Sequence, residues 1–472
     1  MKTFNEIYIL NLHGNAKKRE KSPDGSKDEN VFDIQQGVAI ALFVKRKNET
    51  GCNVFYSEIW GQREQKYNWL SNNSFKSTDW KEIYPSSPFY FFTIRNEEGR
   101  EVYEKCPKIN EIFIENISGV ETARDNFAIA FKKEELMERI SLFIDPKISD
   151  DEFRKAFHLE DKKQWKMSKA RKLLMDDTSW EKYFKEIIYR PFDKRFIFYN
   201  NLIIHRLREQ VMKNMLKDNL GLITVRQVAE GVFNHAFVAD TIIDRRITWS
   251  DKGAAYLFPI YIYKTVKDED LFSEATFKEA KKEPNIKIEI FDKLKETYSS
   301  DITPEQIFYY IYAVLYSNTY RTKYAEFLKI DFPRVPFTAN YNLFIKLSEL
   351  GEELVSLHLL KSSKLDNPIA KYGGKGNDAV VKVQYNVSEK RVYINANNYF
   401  DNVEPEVYSY YIGGYQVLNK WLKDRVGRIL SLSEIETYCK IVTALSETLA
   451  LQSQLDSLYP EVEKTILEVA KE

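Results

Sequence analysis

The sequence has little cysteine, glycine and proline, no excess of either charge, and no apolar run long enough to cross a bilayer. Its three cysteines, Cys52, Cys106 and Cys439, form no CxxC pair, which excludes a disulfide framework and predicts a reduced, cytoplasmic protein. Only 17 glycines and 14 prolines argue against collagen-like or disordered character. The longest apolar run, IFYYIYAVLY at 307–316, is too short for a membrane span, so we expect no membrane partner.

The charges balance over the whole chain but not along it. The 472 residues, enough for roughly two to four structural units, carry 70 Lys and Arg against 70 Asp and Glu. This balance excludes a uniformly basic coat. Residues 154–172 nevertheless carry eight basic residues against two acids, and 190–213 carry six against two. Residues 401–472 are acidic, with seven Lys and Arg against twelve Asp and Glu. The total therefore hides a basic middle and an acidic end.

The apolar spacing predicts a mixed α+β fold. Residues 7–12, 31–46 and 53–60 are typical of strands and resemble the last strands of an α/β sheet. Helical spacing follows at 134–144, around Trp165–Met175 and at Trp180–Ile188, and strand-like runs alternate with turns between 195 and 263, interrupted by a helix at Leu207–Leu216.

The carboxy-terminal part is predicted to be mostly helical. Residues 286–360 and the last forty residues have helical spacing, and a hairpin is predicted at 380–385 and 391–395. Apolar residues at 435, 438, 442, 445 and 449 are spaced for either internal packing or a coiled-coil seam.

Most catalytic motifs are absent from the sequence. It contains no nucleotide P-loop, no HExxH, no His/Cys spacing for zinc and no GxSxG elbow, although a scattered nucleophilic triad is not excluded. One glycine-rich run, YGGKGN at 372–377, formally fits an S-adenosylmethionine loop. Such a loop needs a buried strand before it and a helix after it, whereas a polar segment precedes this run and a strand is predicted to follow. We therefore interpret it as a turn.

Basic residues interleaved with aromatic residues are the strongest positive signal, because lysine and arginine pair with phosphates and aromatic rings can stack on bases. Arginine can also read guanine, and glutamine can read adenine. Ordinary surface charge and internal ion pairs are the alternative. The DNA-binding candidates are Lys162, Lys163, Lys166, Lys169, Arg171, Arg195, Arg206, Arg226, Gln227, Arg245 and Arg246.

Several long segments together resemble one family. They are IYILNLHGN (7–15), DENVFDIQQGVAIALFVKR (28–46), SEIWGQREQKYNWL (57–70), SGVETARDNF (118–127), YRPFDKRFIFY (189–199), TYRTKYAEFLKIDFPRVPF (319–337) and IGGYQVLNKWLKDRVGR (412–428). In this order they resemble the carboxy-terminal part of type ISP restriction-modification enzymes, which join a nuclease, a helicase-like ATPase, an adenine methyltransferase and a DNA target-recognition domain. The resemblance covers essentially the whole chain.

The resemblance implies a division into four parts. It assigns 1–65 to the last strands of the methyltransferase, 66–130 to a connection, 131–400 to the target-recognition domain and 401–472 to a helical end. The chain has no Pro-Pro pair, so the methyltransferase tetrad is missing, and the resemblance places the first residue just after it. We therefore expect no cofactor and no independent activity in this chain, with S-adenosylmethionine bound by the intact parent.

The resemblance also suggests individual site residues. Phe32 matches an aromatic residue that stacks on the flipped adenine in related methyltransferases, although anchoring of a hairpin in the core is the alternative. His13 is expected to be structural. Thr122, Arg124 and Asp125 match a family loop and suggest a backbone or phosphate contact.

The expected partners are double-stranded DNA and the upstream methyltransferase, ATPase and nuclease domains of a parent enzyme. We therefore expect a fragment that supplies sequence specificity for adenine methylation and cleavage by those domains. Two alternatives remain open. The chain could be a protein-interaction scaffold that uses its acidic helical end, or one half of a split adenine methyltransferase completed by another polypeptide.

Overall fold

The computed structural model describes residues 3–16, 20–87, 90–95, 98–228, 231–249, 253–264 and 281–468. The chain forms two compact units, Met1–Glu97 and Glu98–Glu472. Helices and several small sheets alternate along it, which confirms the mixed α+β fold class. The four-part division implied by the resemblance stays a prediction.

Unit 1 is built on a four-stranded sheet in the order β2-β1-β3-β4. Its elements are β1 (Glu6–Asn11), β2 (Ala39–Val44), β3 (Asn53–Glu58), α1 (Arg63–Asn72) and β4 (Lys81–Ile83). β1 pairs antiparallel with β2 and parallel with β3, so β2 is an edge strand. All three strands expected in this region are present.

The second strand is shorter than expected from its apolar pattern over 31–46, because a loop takes up the first half of that range. The side chain of Asn30 donates to the carbonyls of Gly14 (2.9 Å) and Gln36 (2.5 Å) and accepts the N–H of Phe32 (2.8 Å). These bonds replace a strand ladder. The chain therefore becomes extended only at Ala39.

A buried ion pair organises the loops of unit 1. Lys66 Nζ lies 2.7 Å from Asp28 Oδ1, and both side chains are completely buried. The carboxylate also accepts the N–H groups of Gly14 (2.6 Å) and Gly61 (2.9 Å). Gly14 has φ +80°, and a Cβ there would lie 2.3 Å from the Asn30 Cα. The hydrogen bonds to the Asp28 carboxylate offset the desolvation of the ion pair, so the end of the charged loop between β1 and β2 is buried.

Among its described residues, unit 2 has three four-stranded sheets, in the orders β10-β9-β12-β5, β11-β7-β8-β6 and β16-β19-β18-β17. Its strands are β5 (Ile117–Ser118), β6 (Ile129–Ala130), β7 (Phe184–Arg190), β8 (Asp193–Phe198), β9 (Gly221–Val225), β10 (Phe237–Ala239), β11 (Ile242–Ile243), β12 (Ala255–Pro259), β13 (Tyr261–Lys264), β14 (Lys281–Pro284), β15 (Phe337–Thr338), β16 (Lys371–Gly373), β17 (Gln384–Asn386), β18 (Arg391–Tyr393), β19 (Tyr399–Asp401), β20 (Tyr411–Ile412), β21 (Tyr415–Gln416) and β22 (Ile466–Leu467).

Helices surround these sheets. They are α2 (Arg100–Lys105), α3 (Ile109–Ile112), α4 (Asp125–Ala128), α5 (Lys133–Ile144), α6 (Asp150–Phe157), α7 (Met167–Met175), α8 (Glu209–Met212), α9 (Ile288–Tyr298), α10 (Pro304–Tyr316), α11 (Asn318–Lys323), α12 (Ala325–Leu328), α13 (Tyr341–His358), α14 (Pro405–Tyr408), α15 (Val417–Lys423) and α16 (Leu432–Lys464). The helices predicted at 134–144, before Met175 and over the last forty residues are thus confirmed.

The prediction of a helix at Trp180–Ile188 was wrong. A single 3-10 turn at Trp180–Tyr183 leads directly into β7, which pairs antiparallel with β8 over nearly its full length. The segment FKEIIYR is rich in β-branched and aromatic residues, and Phe184, Ile187 and Ile188 are buried in the sheet. Long-range pairing overrides a weak helical spacing here.

The apolar run at 307–316 is the buried helix α10, not a lipid-facing segment. The hydroxyls of the three buried tyrosines of α10 all have partners: Tyr310 donates to the Pro336 carbonyl, Tyr316 donates to the Ala236 carbonyl, and Tyr312 bonds His358 Nδ1. These bonds allow the rings to be buried without unsatisfied hydroxyls. No helix in the described part of the chain is long and apolar enough to cross a membrane.

The last helix packs within unit 2. Ile435, Tyr438, Val442 and Leu445 of α16 are buried, and the helix packs against α11 and α13. The stripe therefore serves internal packing. The run at 372–377 begins within the short strand β16 and continues into irregular chain instead of a helix, which matches the interpretation as a turn.

Candidate functional site

Three backbone segments of unit 2 meet and bring distant charges together. Val120 donates to the Ile243 carbonyl (2.8 Å) and accepts from the N–H of Arg245 (2.9 Å). Glu121 and Arg206 exchange two backbone hydrogen bonds of 3.1 and 2.9 Å. A Cβ at position 119 would lie 2.5 Å from the Asp244 carbonyl oxygen, so Gly119 permits this close approach. The side chains of residues 121, 206 and 245 consequently lie next to one another.

A cleft of about 420 Å³ opens beside these segments. Residues 120–127, 157–160, Lys162 and 244–246 line it. Arg246 and Lys162 are exposed, and Arg245 and Arg206 are 42 % and 51 % exposed at their side chains. The sequence-predicted cations Lys162, Arg245 and Arg246 thus share one cleft, and Arg206 lies at its edge through its contact with Glu121.

A buried ion pair supports the arginine turn. Asp244 Oδ1 lies 2.6 Å from Arg190 Nη1 and accepts the N–H of Arg246 at 2.8 Å. Burial raises the pKa of Asp244, and the charge of Arg190 offsets only part of that effect. The buried pair of Asp244 and Arg190 therefore fixes the turn that carries Arg245 and Arg246. This preorganisation lowers the entropy cost of placing two guanidinium groups on a ligand.

The family-like loop at 122–125 has a structural role in this conformation. Thr122 donates to the Asp125 carboxylate, which also accepts from the Tyr189 hydroxyl at 2.9 Å. The guanidinium of Arg124 lies 3.6 Å above the Trp165 ring and donates to the Ile203 carbonyl at 2.7 Å. Burial lowers the pKa of Arg124 to about 10. The loop thus forms one wall of the cleft.

The same tryptophan anchors the basic segment. Lys162 and Trp165 exchange backbone hydrogen bonds of 2.9 and 3.0 Å, and the indole N–H donates to the Leu202 carbonyl at 2.6 Å. Lys162, Lys163, Lys166 and Lys169 are all exposed around this anchor. Only Lys162 of the four lines the cleft, and Lys166 lies 3.8 Å from Asp161.

Arg171 and Arg195 are held inside the protein. The guanidinium of Arg171 donates to the carbonyls of Phe143 (2.6 Å), Asp145 (2.5 Å) and Ile148 (2.6 Å) and to the carboxylate of Asp150 (2.6 Å). Arg195 is similarly enclosed by Asp193, Asp424 and two aromatic rings, with its side chain only 11 % exposed. This geometry favours structural roles for both, so we leave them out of the proposed interface.

Arg226 and Gln227 lie outside the cleft lining. Arg226 is 58 % exposed and donates to Asp331 at 2.9 Å, and the Gln227 amide donates to the Ile330 carbonyl at 3.0 Å. Their role as DNA contacts stays a prediction.

In unit 1, Phe32 is exposed and its loop is fixed. The ring is 55 % exposed, which does not fit the alternative of a core anchor. Arg63 donates from Nε to the Asn30 carbonyl (2.8 Å) and from Nη2 to the Phe32 carbonyl (3.1 Å). The Tyr67 hydroxyl donates to the Val31 carbonyl. His13, in contrast, is buried and stacked on Trp60, with 3.3 Å between the ring centroids.

Glu121 is a charged residue of this site that the sequence did not single out. Its Oε2 lies 3.0 Å from Arg245 Nη1 and 3.5 Å from Arg206 Nη1. A lone acid in a mixed loop gives no signal that two arginines, 85 and 124 positions away, will contact it. Among the described residues, no group of His, Cys, Asp and Glu side chains is arranged to hold a metal ion.

Residues 111–453 match the family model described as the type ISP C-terminal specificity domain. No curated protein sequence matches the chain. Among solved structures, the fold is similar to that of the ATP-dependent type ISP restriction-modification enzyme LlaBIII bound to DNA, at 22 % identity and a TM-score of 0.70, over 96 % of this chain and 31 % of that one.

Two further structures have a similar fold. The DrdV–DNA complex matches at 20 % identity and a TM-score of 0.67, over 96 % of this chain and 47 % of that one. A nuclease-deletion mutant of the type ISP enzyme LlaGI, in complex with a DNA substrate mimic, matches at 19 % identity and a TM-score of 0.64, over 96 % and 37 %. This chain thus spans less than half the length of each of these proteins.

Proposed function

This chain belongs to the type ISP C-terminal specificity domain family, and from that premise we propose that its cleft binds double-stranded DNA and supplies sequence specificity to a restriction-modification enzyme. The observation that carries the proposal is the convergence of Lys162, Arg206, Arg245 and Arg246 on one preorganised cleft. Phosphate contacts from such cations orient a duplex, and one or two of them can read base edges.

Salt dependence tests the DNA-binding part of this proposal. If about four phosphates are neutralised, the dissociation constant for a 30-base-pair duplex should rise about 100-fold between 50 and 200 mM KCl, since each contact releases condensed counterions. Fluorescence anisotropy of a labelled duplex measures this. Absence of binding at 50 mM KCl, or an affinity that does not change with salt, would contradict the proposal.

A sheet edge that pairs with no other strand of the described residues supports a methyltransferase domain as the partner of unit 1. β2 is an edge strand with apolar residues on both faces, and Ile40, Leu42 and Phe43 are 41, 45 and 53 % exposed. Strands that are apolar on both faces are ordinarily buried inside α/β sheets. We place the remaining methyltransferase strands on this edge, and with them the S-adenosylmethionine site that the resemblance implies.

Phe32 would then stack on an adenine turned out of the duplex, because its ring is exposed on a fixed loop. In an enzyme that joins this chain to its methyltransferase domain, Phe32→Ala should lower the rate of adenine methylation at least about tenfold, since base–aromatic stacking contributes about 1–3 kcal/mol. The unfolding free energy should change by less than ~0.5 kcal/mol, because the ring is exposed. Methyl transfer and urea unfolding measure the two effects.

Leu42→Lys provides the contrast. It places a charge on the β2 edge, so it should weaken docking of the methyltransferase domain as well as methylation, whereas Phe32→Ala leaves docking intact. Unchanged methylation by Phe32→Ala would rule out the stacking role.

The alternatives differ in their support. The apolar residues at 435–445 of α16, which a scaffold would use to bind a partner, are buried by packing within unit 2. No observation on the described residues therefore favours a protein-interaction scaffold. A split methyltransferase fits the β2 edge as well as a continuous chain does, and reading the gene immediately upstream distinguishes the two. The ATPase and nuclease domains rest on the resemblance alone.

A further inference from the structure

The cleft contains an acid whose position opposes DNA binding. Glu121 lies between Arg206 and Arg245, its side chain is 27 % exposed, and its carboxylate occupies the space where a phosphate would otherwise be drawn by the two arginines. An anionic duplex that approaches these arginines must also approach this carboxylate. Like charges brought together at a partly desolvated interface oppose binding.

The carboxylate also has an unused hydrogen-bonding capacity. Oε2 is buried and accepts no hydrogen bond within the described part of the chain, because Arg245 Nη1 lies 3.0 Å away but is not aligned as a donor. A buried acceptor without a donor is unfavourable, so this atom would gain from a donor supplied by a ligand.

Bases present such donors in the major groove. The exocyclic amines of cytosine N4 and adenine N6 donate there, and carboxylates are suitable acceptors for them. Guanine and thymine present only acceptors or a methyl group at the corresponding edges. A carboxylate in a basic cleft can therefore discriminate between base pairs through its repulsion of the wrong ones.

We propose that Glu121 is a specificity-determining residue of the cleft. Its carboxylate repels duplexes that give it no donor, and it accepts a hydrogen bond from one exocyclic amine in the recognised site while Arg206 and Arg245 turn to DNA phosphates or guanine. This inference rests on the proposed function and goes beyond it by naming a discriminating acid and the chemical group that it reads.

The repulsive component is tested with Glu121→Gln and an arbitrary-sequence duplex at 100 mM KCl. Loss of the negative charge should tighten this non-specific binding about fivefold. The slope of log affinity against log salt should become steeper by about one, because Arg206 and Arg245 are then free to displace one more counterion from DNA. Glu404→Gln is the matched control, because it releases Lys390 from an exposed pair outside the cleft lining with the same change of net charge. We expect less than a twofold effect from it. An equal effect of both variants, or weaker binding by Glu121→Gln, would overturn the repulsive role.

The reading component is tested with a duplex selected from a random library by the unmodified chain. Single positions are replaced by purine for adenine or 2-pyrimidinone for cytosine, which removes one exocyclic amine at a time. At one position, removal of the amine should lower the duplex affinity of the unmodified chain about tenfold, as expected for a lost hydrogen bond to a charged group. The same removal should lower the affinity of the Glu121→Ala variant less than threefold. If no amine position is coupled to residue 121, the inference is wrong.

These outcomes are separable from failure of the proposed function. If the unmodified chain does not bind duplex DNA, the proposed function and this inference fall together. If it binds DNA and Glu121→Gln behaves like Glu404→Gln, the inference alone is overturned. Thermal melting of each variant confirms that the fold is intact, and Glu121→Asp, which keeps the charge, should keep the repulsion of arbitrary duplexes.

Discussion

Duplex affinity should fall about 100-fold when Arg245 and Arg246 are both replaced by alanine. Both side chains line the cleft on a turn that Asp244 fixes, and each phosphate or base contact by an arginine is worth about 1–3 kcal/mol. The slope of log affinity against log salt should also decrease by about two, because two fewer counterions are released. Anisotropy titrations at several salt concentrations measure both quantities.

A double variant with the same loss of charge provides the control for this prediction. Lys390→Ala/Arg391→Ala removes two cations that pair with Glu404 and Asp401 and do not line the cleft. It should change affinity less than threefold. Equal losses of affinity for the two double variants would mean that duplex affinity depends only on the net charge of the chain. No loss from Arg245 and Arg246 would exclude the cleft as the interface.

Asp193→Asn should destabilise the fold by about 3–5 kcal/mol, because it removes the buried carboxylate that two guanidinium groups share, and their other partners, Asp424 and Glu434, lie farther away at 3.3 and 3.1 Å. Asp193 is 1 % exposed, and its carboxylate lies 2.6 Å from Arg195 and 2.9 Å from Arg425. Asp401→Asn, which breaks a partly exposed pair with Arg391, should cost about 1 kcal/mol. Urea unfolding of both variants measures the difference, and equal effects would contradict the role given to the buried cluster.

The same cluster predicts a pH dependence of stability. Burial opposes ionisation of Asp193, but Arg425 and Arg195 together hold its pKa below the ordinary value. A carboxyl with a lowered pKa in the folded state contributes its full stabilisation above the unfolded pKa of about 4. That contribution is lost as the pH falls through the lowered value.

This cluster also explains two of the long motifs. Asp193 lies in YRPFDKRFIFY and Arg425 in IGGYQVLNKWLKDRVGR, and the ion pair joins these segments across 232 positions of sequence. The sequence showed both motifs but not their contact. A single sequence contains no signal for pairing between distant charges, whereas local apolar spacing is readable because it repeats within a few residues.

The spacing of apolar residues predicted helices and strands well where these residues repeat regularly along the face that meets the core. α5, α7 and α16 follow their apolar stripes, and β1 and β3 follow their apolar runs. It failed at Trp180–Ile188 and at the start of β2. In the first case a sheet partner decided the conformation, and in the second the hydrogen bonds of Asn30 did.

The site was only partly predictable for the same reason. Lys169 and Arg171 lie two residues apart on α7, yet one is exposed and the other is buried among carbonyl groups. Positions i and i+2 face different sides of a helix, and composition cannot say which side meets the core. Arg245 and Arg246 were identified by residue type, but their convergence with Lys162 and Glu121 depends on backbone contacts at Gly119 and Val120.

We propose that this chain recognises a DNA sequence through the cleft. Selection of bound duplexes from a random library by the complete chain at 150 mM KCl, followed by sequencing of each round, tests this proposal directly. We expect enrichment of one short motif by the unmodified chain, and loss of that enrichment with Arg245→Ala/Arg246→Ala. A bound pool that stays as random as the unbound pool, while the chain still binds duplex DNA, would contradict it.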